Sequence, residues 1–188
     1  MRIILASGSP RRRELLGEMG LRFEVVPSGA EEEMPKGRYD QALAARRLAH
    51  AKALSVAKVH PDAVVIAADT IVCLASAVLG KPSDEEDARR MLRALSGKTH
   101  RVITGIAVCT NKVTLRGSET TQVTFRTVME EEIWEYVHSG EPMDKAGAYG
   151  IQGQAAAFVA DLQGCYYNVV GLPVLRLARM LRALGVEL

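Results

Sequence analysis

The turn at residues 7–13 carries the side chains best suited to chemistry, with the sequence Ser-Gly-Ser-Pro-Arg-Arg-Arg. Ser9 is a favourable helix N-cap, and Pro10 suits the first helical position because its missing N–H would have no partner there. The start of a helix presents free backbone N–H groups and a partial positive charge, and both attract anions. Cations are disfavoured at that end, so three arginines in the first turn indicate a bound polyanion. The turn is therefore predicted to bind phosphate.

Exposure of these arginines to solvent is the alternative. Successive helical residues point about 100° apart, so at most two of the three can face one ligand. The turn is not a Walker loop, since no Gly-Lys-Ser/Thr follows it, and it is not a dinucleotide-binding fingerprint. The motif alone favours an anion without identifying it.

Asp69 interrupts the apolar run 64–72, where burial of an unpaired carboxylate would be costly. One interpretation is a structural aspartate that backbone N–H groups or an arginine satisfy. The other is a carboxylate that projects from a strand into a cleft, as catalytic bases and metal ligands do.

Two lysines offer further cationic contacts. Lys52 shares a stripe at i, i+4 spacing with Leu48 and Val56, on the side of a helix expected to face the core. It either extends to solvent or supplies a second phosphate contact. Lys81 lies in the stiff turn Gly80-Lys81-Pro82, where an ordinary loop lysine is the alternative interpretation.

The glycine-rich segment 147–153 reads Gly-Ala-Tyr-Gly-Ile-Gln-Gly. Such a segment can approach a ligand closely, and Gln152 can read the edge of a base through its paired donor and acceptor. For His100, in a turn that ends a helix, we favour a structural role over a catalytic one.

The three glutamates at 31–33 are most simply a solvated acidic loop. One of them, Glu31 or Glu32, can alternatively ligate Mg²⁺ together with Asp69, because hard cations prefer carboxylate oxygens.

The hydrophobic pattern predicts which elements position these residues. Strands are expected at 3–6, 23–27, 63–74, 101–110 and 113–128. The strand at 63–74 is expected to continue as a short hairpin that ends at residue 80. A last hairpin is expected to pair 156–162 with 165–170. Helices are expected from residue 9 or 10, and at 39–58, from 83 or 84 to 95, 130–139 and 173–184. Strands interleaved with helices and hairpins predict a mixed α/β sheet, within a single domain over residues 1–188.

The composition is that of an ordinary soluble globular protein, with 188 residues, 48% hydrophobic and 24% charged. The net charge of +2 is too small to favour nucleic-acid binding. Cys73, Cys109 and Cys165 are widely spaced, which disfavours a zinc site or a disulfide framework and favours a reducing compartment. Neither a signal peptide nor a membrane-spanning run is expected. We therefore predict a cytoplasmic protein without membrane or nucleic-acid partners.

Motifs at 6–12, 68–70, 80–82, 95–100, 144–153 and 169–173 run in order along nearly the whole chain. Together they resemble the Maf family of nucleoside triphosphate pyrophosphatases. The segment 149–153 is similar to that of the subgroup acting on dTTP and UTP, whereas the sister subgroup acting on 7-methyl-GTP typically carries a different sequence there.

The resemblance implies an elongated mixed β-sheet flanked by helices, with two lobes around a cleft, similar to the inosine triphosphatase architecture. It also implies hydrolysis of a nucleoside triphosphate to the monophosphate and pyrophosphate, in nucleotide-pool control. A divalent cation, Mg²⁺ or Mn²⁺, is the implied cofactor, and a homodimer is the implied assembly.

Carried over residue by residue, the resemblance makes Asp69 the proton acceptor. From the chemistry of their carboxylates, Asp69 and Glu31 are also the candidate metal ligands. The resemblance favours Arg11 and Arg12 over Arg13 as ligand contacts. The positions linked to substrate choice are Arg11, Thr70 and Gln152, and those linked to phosphate binding are Ser7, Arg12, Lys52 and Lys81.

Two other functions stay open at this point. One is a pyrophosphatase for a different, modified nucleotide. The other is a non-enzymatic nucleotide-binding regulator of cell division, which the family's link to septum formation suggests. Asp69 amid apolar neighbours and several cations favours catalysis, because a pure binding protein has no evident need for that carboxylate.

Overall fold

The computed structural model describes residues 1–30 and 39–188. The strands are β1 (Arg2–Leu5), β2 (Glu24–Val25), β3 (Ala63–Leu74), β4 (Ala77–Leu79), β5 (Thr99–Cys109), β6 (Thr114–Phe125) and β7 (Val159–Gln163). The α-helices are α1 (Pro10–Glu18), α2 (Gln41–Ala57), α3 (Glu85–Leu95), α4 (Glu130–His138), α5 (Tyr166–Val170) and α6 (Val174–Ala183). Short 3₁₀ helices cover Glu141–Asp144, Ala146–Ala148 and Gln154–Phe158. Across the two described ranges, none of the helices has the length and apolarity needed to cross a membrane.

The described strands form a mixed sheet in the order β2-β1-β3-β5-β6-β7, with β4 paired to β3. Strand β1 runs parallel to both neighbours, with Leu5 opposite Val25 on one side and Ile66 on the other. Strands β4 and β7 run antiparallel to β3 and β6. Helices flank this sheet, which explains why β1 and β3 are nearly continuous apolar runs. The predicted mixed α/β fold is confirmed.

The chain divides into two compact units. Unit 1 comprises Met1–Asp69, Thr104–Glu119 and Gly171–Leu188. Its core joins α2, through Ala49 and Ala53, to Ile4 of β1 and to Val65 and Ala67 of β3. Small alanine side chains let the helix backbone approach the sheet closely, and this packing fixes which face of α2 is turned toward β3.

Unit 2 comprises Thr70–Ile103 and Thr120–Val170. Helix α3 begins where the Asp84 side chain accepts a hydrogen bond from the Asp87 N–H, and it packs against α4. Within the same unit, the rings of Phe125 and Tyr149 meet edge to face with their centroids 4.8 Å apart. Aromatic packing of this kind holds the segment that follows α4.

The expected hairpin between 156–162 and 165–170 is wrong in its second arm, because β7 pairs with β6 and residues 166–170 form helix α5. Tyr166 and Tyr167 are exposed while Asn168 is fully buried, a pattern without the alternation of a strand. The Asn168 side-chain amide donates to the Val102 carbonyl and to Thr121 Oγ1. These buried contacts favour the helical turn.

Candidate functional site

The turn after β1 holds Ser7 and Arg12 together in unit 1. The Ala6 N–H donates to the Ile66 carbonyl at 2.7 Å, and the chain then leaves the sheet. Ser7 is buried, and its Oγ accepts hydrogen bonds from the Ser9 N–H and from Arg12 Nη1, each at 3.3 Å. Arg12 Nε also donates to the Gly171 carbonyl at 2.8 Å. The guanidinium is thereby fixed beside the turn.

Helix α1 begins as the sequence predicted, with Ser9 as N-cap and Pro10 in its first turn. The Ser9 side chain makes no capping hydrogen bond, and the first turn contains no acidic residue. The partial positive charge of this helix end is therefore not neutralised by its own sequence, as an anion site requires.

The three arginines of the turn differ in exposure. Arg11 and Arg12 are partly buried, whereas Arg13 is exposed. Arg13 lines a groove of about 480 Å³ along α1, whose walls include Ser9 and Phe23. The preference for Arg11 and Arg12 over Arg13 as ligand contacts stays a prediction.

Lys52 and Asp69 form a buried ion pair, also in unit 1. Lys52 Nζ donates to Asp69 Oδ1 at 2.6 Å, with only 12% and 10% of the two side chains exposed. Leu48 and Val56 on the same stripe of α2 are buried, as the i, i+4 spacing predicted. Each charge compensates the other in a position where burial of a single unpaired charge would cost free energy.

This pairing was not predicted. The available signal was that two isolated charges each stand among apolar residues, one on a helix stripe and one in a strand. Their contact depends on the packing of α2 against β3, which the sequence alone does not give.

The turn and the ion pair share one edge of the parallel strands. Leu5 of β1 lies opposite Ile66 of β3, so Gly8 and Asp69 each follow three residues beyond the same register position. Strand β1 ends at Leu5 whereas β3 continues to Leu74, so the turn that holds Ser7 and Arg12 and the Asp69 position of β3 both lie beyond the carboxyl end of β1.

In unit 2, the hairpin of β3 and β4 carries Thr70 and Lys81. Val72 pairs with Leu79 across the hairpin, so Thr70 lies two residues before one member of this pair and Lys81 two residues after the other. Lys81 is exposed and Thr70 is partly buried. The side chain of Lys81 is therefore accessible to a ligand in solution.

The glycine-rich segment lies against the same hairpin. The Gly147 N–H donates to the Gly80 carbonyl at 3.0 Å, directly before Lys81. Gly147 has φ of 72°, and a Cβ there would lie 2.9 Å from Val72 Cγ1. Glycine is therefore required by both the backbone conformation and the close approach. Unit 2 thus brings the Lys81 turn and the segment of Gln152 together.

His100 anchors this segment from inside unit 2. Its Nε2 lies 2.8 Å from the Tyr149 hydroxyl, and both residues are buried. Burial lowers the pKa of His100 to about 4 and raises the pKa of Tyr149. Both groups are therefore neutral near pH 7, and this buried position agrees with the structural role favoured from the sequence. Gln152 itself is exposed.

The predicted site residues thus fall into two groups, one in each unit. Unit 1 contains Ser7, Arg11, Arg12, Lys52 and Asp69, and unit 2 contains Thr70, Lys81 and Gln152. Glu31, the candidate metal ligand, lies outside the described residues, as do Glu32 and Glu33. In the ranges 1–30 and 39–188, no three His, Cys, Asp or Glu side chains are grouped to hold a metal ion.

Comparison with known proteins gives one family over nearly the entire chain. The family described as Maf-like protein matches residues 2–184. A dTTP/UTP pyrophosphatase of Koribacter versatilis is 50% identical over 99% of this chain and 96% of its own length. The proteins of that name from Aquifex aeolicus and Deinococcus radiodurans are 49% and 50% identical, covering 98% and 99% of this chain and 96% and 94% of their own lengths.

Proposed function

This chain belongs to the Maf-like protein family, and from that premise we propose that it hydrolyses nucleoside triphosphates, dTTP and UTP above all, to the monophosphate and pyrophosphate. The observation that carries the proposal is the 49–50% identity, over nearly full length, to relatives named dTTP/UTP pyrophosphatase. The oxygen of one water molecule bonds to the α-phosphorus. The bond from the α-phosphorus to the bridging oxygen breaks, and pyrophosphate leaves.

The turn after β1 is proposed to bind the triphosphate. The contact from Arg12 Nη1 to Ser7 Oγ supports this role, because it orients a planar guanidinium suited to bidentate phosphate binding. The N-terminal end of α1 adds a fixed positive potential. Arg11, next in the turn, is proposed to contact the substrate as well.

Lys81 is proposed to neutralise charge on the leaving pyrophosphate, since its turn leaves the ammonium exposed. Stabilising the charge that develops on a leaving group lowers the barrier of phosphoryl transfer. Lys52 is proposed to contact the phosphates as well, as the family resemblance implies, from a position where its Nζ donates to Asp69 Oδ1.

Asp69 is proposed to accept the proton of the attacking water. Its Oδ1 is bonded to Lys52, so the carboxylate is oriented and its charge is compensated in a buried position. The other oxygen, Oδ2, is proposed to take the proton. Proton transfer to a positioned base typically contributes about 10²–10⁴-fold to the rate.

A divalent cation, Mg²⁺ or Mn²⁺, is proposed as cofactor. The Asp69 carboxylate suits a hard cation, and Mg²⁺ commonly uses one or two carboxylates together with substrate phosphates. Glu31 is proposed as a second ligand. When bound, the ion would lower the pKa of a water ligand and neutralise phosphate charge.

Gln152 is proposed to select the base, with Thr70 and Arg11 contributing to substrate choice. Its amide offers one donor and one acceptor, which match the O4 and N3–H of thymine or uracil. Its exposure leaves the amide accessible to a ligand.

We propose the cytoplasm as the compartment, since three widely spaced cysteines favour a reducing environment. We propose a homodimer as the assembly, on the family resemblance alone. Neither nucleic acid nor membrane is proposed as a partner.

The test is a panel of dTTP, UTP, dCTP, dATP and GTP with Mg²⁺ or Mn²⁺, in which pyrophosphate and phosphate are quantified separately. Pyrophosphate release that is fastest with dTTP and UTP is expected. Release of phosphate, or equal rates with all five nucleotides, contradicts the proposal.

A further inference from the structure

Two side chains outside the glycine-rich segment join the backbone amides of Gly150, within the segment, and Gln154, directly after it. Tyr136, at the end of α4, is buried, and its hydroxyl accepts from the Gly150 N–H at 3.1 Å. The same hydroxyl contacts Glu141 Oε1 at 3.1 Å, and Glu141 Oε2 accepts from the Gln154 N–H at 3.2 Å. A continuous set of hydrogen bonds therefore runs from the amide of Gly150 to the amide of Gln154.

These amides lie two residues before and two residues after Gln152. Ile151 is buried, whereas Gln152 and Gly153 are exposed. The backbone is thus held on both sides of one exposed glutamine, and the remaining freedom at that position is mainly in the side-chain torsions.

Gly153 shows how closely Glu141 approaches this backbone. A Cβ at Gly153 would overlap the Glu141 carboxylate, so a larger residue there would displace that carboxylate from its present position. A carboxylate that accepts a backbone N–H makes a stronger bond than a neutral acceptor does. Glu141 is therefore the stronger of the two side-chain acceptors.

We propose that Tyr136 and Glu141 are positioning residues that hold Gln152 for base selection. The inference rests on the proposed function, and it adds two residues that act through the backbone on either side of Gln152. An amide distinguishes thymine from cytosine only when its donor and acceptor are held in register with the base edge, because the two bases present opposite polarity at that edge.

The variant Tyr136→Phe isolates this effect because it removes one oxygen and keeps the ring. The edge-to-face contact between Tyr136 and Phe158, with centroids 5.4 Å apart, is retained by phenylalanine. The ratio of kcat/KM for dTTP over dCTP is expected to fall about fivefold to tenfold, the effect of about one hydrogen bond. Turnover of dCTP is expected to change little.

Glu141 is tested by a pair of variants. Glu141→Ala is expected to lower the dTTP/dCTP ratio at least as much as Tyr136→Phe. Glu141→Gln is expected to restore most of it, because its amide carbonyl accepts from the Gln154 N–H while its NH₂ group donates to the Tyr136 hydroxyl in place of the original contact. The matched control is Glu131→Ala, an exposed glutamate on α4, which is expected to leave the ratio unchanged. Thermal midpoints of all variants are recorded, so that selectivity is measured on folded protein.

Hydrogen exchange at the amides of Gly150 and Gln154, measured without nucleotide, gives a second readout. Both amides are expected to exchange faster in Tyr136→Phe. An unchanged dTTP/dCTP ratio in Tyr136→Phe and Glu141→Ala overturns the inference, as does unchanged exchange. If the wild-type protein does not release pyrophosphate from dTTP, the proposed function fails, while the exchange rates still decide whether these side chains hold the segment.

Discussion

Removing the positive charge of the buried pair tests whether the Lys52 ammonium stabilises the buried negative charge of Asp69. The variant Lys52→Met keeps the aliphatic stem that packs within the stripe of α2, and it deletes the ammonium that donates to Asp69 Oδ1 at 2.6 Å. About a tenth of each side chain is exposed, so solvent replaces little of the lost interaction. Leaving one charge of a buried pair without its partner typically costs about 3–5 kcal/mol. We expect a loss near the lower limit, about 3 kcal/mol, because the small exposed fraction lets water solvate the remaining carboxylate in part.

Equilibrium unfolding in urea, followed by circular dichroism, measures this loss. The double variant Lys52→Met/Asp69→Asn removes both charges and is expected to be more stable than Lys52→Met alone, by about 2 kcal/mol, because no uncompensated carboxylate remains. A loss below about 1 kcal/mol in Lys52→Met, together with additive effects in the cycle, would refute the reasoning.

Three further predictions follow from the site and its supports. Asp69→Asn is expected to lower kcat by roughly 10²–10⁴-fold with an unchanged circular dichroism spectrum, and a folded variant with normal turnover would exclude Asp69 as the base. Gln152→Ala is expected to cost about 1–3 kcal/mol in the kcat/KM of dTTP relative to dCTP, whereas equal losses for both nucleotides would exclude it as the base reader. Burial lowers the pKa of His100 to about 4 from 6.5, so the unfolded chain binds a proton that the folded chain excludes as pH falls below 6.5. Stability should therefore decline from pH 6.5 to 4 by up to about 3 kcal/mol, and urea unfolding of His100→Gln should lack this contribution.

The sequence predicted much of the fold wherever a single local pattern, such as an apolar run or a helix cap, determined the element. The β-branched run at 63–74 matches β3 at both ends, because a strand buried on both faces needs continuous apolar side chains. Helix α3 begins after Asp84, since its side chain satisfies an N–H group that the helix leaves unpaired. The segment 166–170 was misassigned because its helical turn depends on the buried contacts of Asn168 to Val102 and Thr121.

The candidate site was predicted as a set of residues but not as a set of contacts. Lys52 and Asp69 were each singled out, yet their ion pair requires the docking of α2 on β3. Gln152 was singled out by its segment, yet Tyr136 and Glu141 carry no local signal of their part in holding it. Contacts between distant segments depend on tertiary packing, which periodicity and caps do not specify.

Hydrolysis of dTTP in H₂¹⁸O tests the central claim most directly, because it locates the phosphorus that water attacks. The purified protein is incubated with dTTP and Mg²⁺, and the products are analysed by mass spectrometry. The account predicts dTMP and pyrophosphate as products, with one ¹⁸O atom in the phosphate of dTMP. Label in the pyrophosphate, or dTDP and phosphate as products, would contradict it.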